Sequence, residues 1–274
     1  MRIQVSTRNI ALVAILGALY YVLSLISPFV PFIGLPDLTI KLEALMAAVF
    51  GLLLGPYLGA LAALLGAGMA WALPPVGMNP LSAPFLLSPP LNALIVGFIF
   101  YRKWKWAFGA LSLLIVAFIF LPPSQPLGKY YYVAGAVLWD KVIALLLIIP
   151  SMMFSQKLSK GRYLPILLFF VFFIGNQADN MWGADIFAVP FIYEVLYAPV
   201  LSPFLEMGFP TILDAVRFLF TISPFVYPAI RLLQAIVGTM VAVPLYRSLK
   251  TTPWILQEKS IIEQQPYVKK AVGA

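Results

Sequence analysis

The chain has no cysteine and no histidine. The first absence rules out disulfides and thiolate chemistry. The second removes the commonest general base and the commonest transition-metal ligand. Charge is scarce too: Asp, Glu, Lys and Arg make up 10% of the 274 residues, where a soluble domain carries about 25%. No GxxxxGK[ST] phosphate loop occurs, so any ATP the protein's work needs is handled by another subunit. No paired-carboxylate DxxD motif occurs either, which argues against a metal-assisted enzyme acting on an isoprenoid or lipid headgroup.

What is present is hydrophobic. Apolar residues are 62% of the chain, in continuous runs that do not alternate as barrel strands do. The expected fold is an all-α integral membrane protein, a polytopic helical bundle of about 8 spans within a range of 6 to 10. Apolar segments fall at 10–26, 39–54, 56–73, 91–101, 107–121, 133–154, 163–175 and 229–246. Gly55-Pro56 marks a tight turn between the second and third. Residues 74–90 hold six prolines and cannot form a regular helix throughout, so they read as a semi-rigid outer lid. Residues 186–228, broken by six prolines, read as short helices, with two further spans possible. Residues 1–247 form one transmembrane domain and 248–274 a polar cytoplasmic tail.

Basic residues set the orientation. With the N-terminus inside and eight spans, 13 of the 18 Lys and Arg fall on the inner side, and eight of the ten acids fall outside. That is the asymmetry of a plasma-membrane protein with both termini cytoplasmic. It accounts for the net charge of +8 without a nucleic-acid partner.

The candidate site is a polar cluster in an apolar setting. Residues 175–185 pack Asn176, Gln177, Asp179, Asn180 and Trp182 between two hydrophobic runs. Such groups at membrane depth usually face a cavity or a partner. Asn and Asp also cap helices and close turns, but the density of the cluster favours binding. Asn79 on the lid, Asp140 and Arg231 join it as substrate-binding candidates, with Trp71 and Trp139 as apolar walls. Asp140 with Lys141 is either a ligand pair or a self-neutralising ion pair. Arg231 opens a helix, where a cation opposes the helix dipole; its partner is Asp214, Glu194 or a bound anion. Tyr130, Tyr131 and Tyr132 read as an interfacial belt. Ala14 and Ala18 lie one turn apart on a small helix face, suited to close approach by another helix.

These features together resemble the substrate-binding S component of energy-coupling factor (ECF) transporters. The resemblance is carried by Ala14-xxx-Ala18, by Lys41-Leu42-Glu43-Ala44-Leu45, and by Phe50-Gly51 with Gly55-Pro56. The small third helix, Asp179 with Gly183, and the final helix from Pro228-Ala229-Ile230-Arg231 to Pro244 complete it. It covers mainly residues 8–73 and 170–247. It implies a six-helix subunit that captures a vitamin-like molecule outside, joined to a transmembrane coupling subunit and two cytoplasmic ATPases. It assigns contact with the coupling subunit to Ala14 and Ala18. It implies no enzyme activity, cofactor or metal, the histidine motif of nickel and cobalt members being absent. Two spans beyond six are expected, most simply 107–154. The competing readings are a membrane enzyme acting on a lipid or isoprenoid headgroup and a structural subunit of a membrane complex.

Overall fold

The structure is a computed structural model that describes residues 7–26, 31–32, 35–39, 42–75, 77–154 and 161–249. Residues 250–274 of the expected tail, and Lys41, lie outside the described residues. The helices are α1 (Thr7–Ile26), α2 (Leu42–Ala72), α3 (Ser88–Phe100), α4 (Trp104–Phe120), α5 (Leu127–Met153), α6 (Leu164–Phe187), α7 (Ala198–Glu206), α8 (Ile212–Ile222) and α9 (Tyr227–Leu249). A small antiparallel hairpin, β1 (Pro31–Phe32) and β2 (Leu35–Thr39), stands between α1 and α2.

Among the described residues, six helical segments are long and apolar enough to cross a membrane, and α4 is a shorter apolar helix. One of the six, α2, is bent at Gly55, whose φ of 77° is open to glycine at no steric cost. The bend is sharp: a side-chain carbon at Gly59 would lie 2.6 Å from the Phe50 carbonyl, nine residues away along the chain. In a straight helix those positions would be about 13.5 Å apart. So α2 is two arms meeting at the turn expected for Gly55-Pro56. With α4, the arms bring the apolar helical segments to eight.

The arms pack through missing side chains. Gly51 sits on the backbone of Ala93, and Gly97 on the backbone of Pro56, so α2 and α3 touch main chain to main chain. Gly66 likewise receives Tyr20 of α1. The inward face of α1 is Val13, Gly17 and Tyr20; Ala14, Ile15 and Ala18 point away from the bundle and are exposed.

The two ends of the bundle differ. Tyr101 donates its hydroxyl to Leu52 O at 3.1 Å, tying the end of α3 to the α2 bend. At the opposite end Tyr21 donates to Pro74 O at 3.0 Å. There residues 73–75 and 77–87, the 121–126 turn and the short helices 191–222 gather as a cap. None of the described helices within 191–222 reaches spanning length.

Helix α6 is the hub, packed against α3, α4, α5 and α9. It continues through the whole polar cluster to Phe187 instead of ending near Gly175. Asn and Asp are weak helix formers, but contact on all sides overrides local propensity. Tyr130, Tyr131 and Tyr132 lie in the first turns of α5, which begins at Leu127, before the apolar segment at 133–154.

Candidate functional site

The polar side chains of α6 meet those of α3 and α9 in the core. Asn92 donates its amide to Asn176 Oδ1 at 2.9 Å, and Asn176 passes a longer bond, 3.3 Å, to the Arg231 carbonyl. Asn92 fits there because Gly175 leaves room for it. Arg231 forms an ion pair with Asp179 at 3.2 Å and donates to Gln234 Oε1 at 2.8 Å. Its partner is therefore Asp179, one of the candidates itself, and neither Asp214 nor Glu194. Tyr20 of α1 and Glu43 of α2 are also buried.

Asp140 and Lys141 are an ion pair with 2.8 Å between Nζ and Oδ1, both nearly fully buried. The pair lies about halfway along α5, not in its first turns. Asn180 is half-buried on α6. Trp182 is half-buried, with its indole nitrogen covered. Asn79 stands apart: it is exposed, and its side chain accepts from Leu81 N at 2.9 Å, closing a turn. Trp71 donates to the Asn79 carbonyl at 2.8 Å, while Trp139 is 45% exposed.

The core thus unites Asn176, Asp179 and Arg231 with Asn92 and Gln234, while Asp140 is paired with Lys141. Sequence reasoning left out Asn92 and Gln234 from the site. Gln234 was visible as a polar residue in an apolar helix. Asn92 gave no such signal, because its role depends on which helix faces which.

The cap is held by two polar ties. Tyr197 donates to Leu81 O at 2.6 Å, joining the short helices to the proline-rich segment. Arg217 of α8 donates to the carbonyls of Pro122, Pro123 and Gln125, pairs with Asp214 at 3.1 Å, and stacks 3.5 Å from the centre of the Tyr130 ring. Tyr130 is thus a platform for an arginine, whereas Tyr131 and Tyr132 are exposed as a belt would be. The Thr211 hydroxyl and then Arg217 hold the Asp214 carboxyl below its usual range.

Arg217→Ala should leave three carbonyls without a donor and loosen residues 188–226, read as faster proteolytic nicking and amide exchange there. Acid should act in the same direction. A carboxyl with a depressed folded pKa stabilises above its unfolded value near 4, and that contribution is lost as pH falls through the folded value. Nicking that is unchanged in the variant would show the tie to be idle.

Fold and core together define a multi-pass helical membrane protein with a buried polar group under a cap at one end. The family model for the S component of ECF-type riboflavin transporters matches residues 4–157, more than half of the chain. The protein belongs to that family. Its members are transporter subunits rather than enzymes, working with a substrate and a membrane-bound ECF module in the plasma membrane. The match runs through α4 and α5, which sequence reading set apart as additional spans, and stops before α6. No curated protein and no solved structure matches the chain.

Proposed function

We propose that this chain captures riboflavin or a close relative at its capped end and hands it to an ECF module for uptake. The observation that carries the reading is the family match, which names riboflavin transport for its members. In this reading the capped end faces outward and both termini are cytoplasmic, in the plasma membrane of a prokaryote, as the split of basic residues supports. Asn176, Asp179, Asn180, Trp182, Arg231 and Asp140 border the ligand, and Asn79 shapes the lid through its turn. Ala14 and Ala18 meet the transmembrane coupling subunit, which two ATPases drive. Their exposure on the outer face of α1 suits that contact, since small residues let backbones approach closely. The family favours this reading over a lipid-headgroup enzyme or a purely structural subunit.

The test is a titration of the purified chain with riboflavin, followed by quenching of flavin fluorescence. Saturable binding with a Kd of about 1 μM or tighter is expected. No saturable binding up to about a hundred times that concentration would reject the substrate. Ala14→Trp should keep this titration and lose copurification of the coupling subunit; retention of the partner would place the contact elsewhere.

A further inference from the structure

Asp179, Trp182 and Asp185 recur at intervals of three along α6, so each lies beside the next on the helix surface. Asp179 is occupied by Arg231. The other two have no partner among the described residues. The Trp182 indole nitrogen and both Asp185 oxygens are buried and unbonded, and Asp185 is only 8% exposed. No ion pair among the described residues reaches it.

Its position makes the matter worse. Asp185 is in the last turn of α6, where the helix dipole opposes a negative charge. A buried polar group without a hydrogen bond is strongly disfavoured, and leucine at this position would remove the problem. Residues that break the packing rules without local compensation tend to mark functional sites. The surroundings agree: Gly183, between the two residues, faces Phe85 of the proline-rich segment. Phe85 meets Tyr197 edge-on at 6.3 Å, and Tyr197 pins the cap to Leu81. The row therefore climbs about 9 Å from the Arg231 pair toward the cap.

We propose that Trp182 and Asp185 form the recognition pair at the capped end of the ligand site, reading a ligand edge that carries an N–H beside a C=O. A carboxyl oxygen of Asp185 accepts from the N–H, and the indole N–H of Trp182 donates to the carbonyl. This inference rests on the riboflavin reading and sharpens it, because the flavin ring has an imide edge with its N–H between two carbonyls.

The probes are riboflavin and its N3-methyl derivative, whose methyl group removes the N–H and little else. Wild type should bind the methyl compound about ten-fold more weakly or worse, as expected when a buried hydrogen bond is lost and its acceptor left unsatisfied. Asp185→Leu should weaken riboflavin to a similar extent, and methylation should then cost little more. Asp185→Leu should also unfold no earlier than wild type, which a merely structural carboxyl would not permit. Should it fail to fold, Asp185→Asn and Trp182→Phe keep shape and carry the same comparison. Equal binding of both flavins to wild type, or an equal methylation penalty in wild type and variant, overturns the inference and leaves riboflavin capture standing. Absence of riboflavin binding to wild type overturns both.

Discussion

Asp179→Ala is expected to destabilise the folded chain by about 3–5 kcal/mol, because it leaves Arg231 buried without its carboxylate. The guanidinium then keeps only Gln234, and its Nε already has no partner among the described residues. In detergent the unfolding midpoint should fall by roughly 10 °C. Removing both charges should recover most of the loss: Asp179→Leu with Arg231→Met takes out the pair together, and well-packed apolar replacements of buried pairs are neutral or better. The comparison also separates stability from recognition. The double variant should regain its midpoint and not its ligand affinity. Midpoints of single and double variants equal to wild type would show the pair to be solvated and loosely held. Asn180→Ala, outside this network, is the cleaner substitution for measuring ligand contact.

Gly97→Ala is expected to have a still larger effect, from a single methyl group. That methyl would lie on the nitrogen and Cα of Pro56, with the Gly55 carbon 2.8 Å away. These are backbone atoms at a bend whose φ only glycine adopts freely, so no side chain can swing aside. Overpacking usually costs about 1–3 kcal/mol when side chains can adjust; here the two arms of α2 and α3 must part, and folded yield should drop close to zero. Gly109→Ala on α4 is the control. Nothing lies within 4 Å of its added methyl, and alanine is the better helix former by up to about 1 kcal/mol. Yield and elution profile on size exclusion decide the matter. Equal behaviour of the two variants would mean that α2 and α3 are not in main-chain contact.

Sequence reading recovered the helices because hydrophobic runs and Gly-Pro breaks are local. Gly55-Pro56 was legible as a turn for that reason. The extent of α6 was not: Asn176 to Asp185 looks like the polar end of a helix unless one knows that α3, α4, α5 and α9 surround it. The same holds for pairing. Arg231 and Asp179 are 52 residues apart, and no local rule chooses Asp179 over Asp214. Asp214 is claimed instead by Arg217, one turn on, which a reading at i,i+3 spacing could have found. Ala14 and Ala18 were legible as a small face; that this face is turned outward could be seen only once Val13, Gly17 and Tyr20 were packed.

The hub helix also bears on how the protein is made. Helix α6 is the least apolar of the six spans and is synthesised after α1 to α5. A segment bearing Asn176, Gln177, Asp179, Asn180 and Asp185 is a poor client for free insertion into lipid, where each such group is penalised. Its companions α3, α4 and α5 are already in the membrane when it leaves the ribosome, and Asn92 waits on one of them. The early helices therefore serve as an intramolecular chaperone, holding a protein-lined berth for α6. Arg231 follows some forty residues later to neutralise Asp179. Nascent chains halted between 187 and 231 would carry that carboxylate uncompensated, and membrane quality control should find them there.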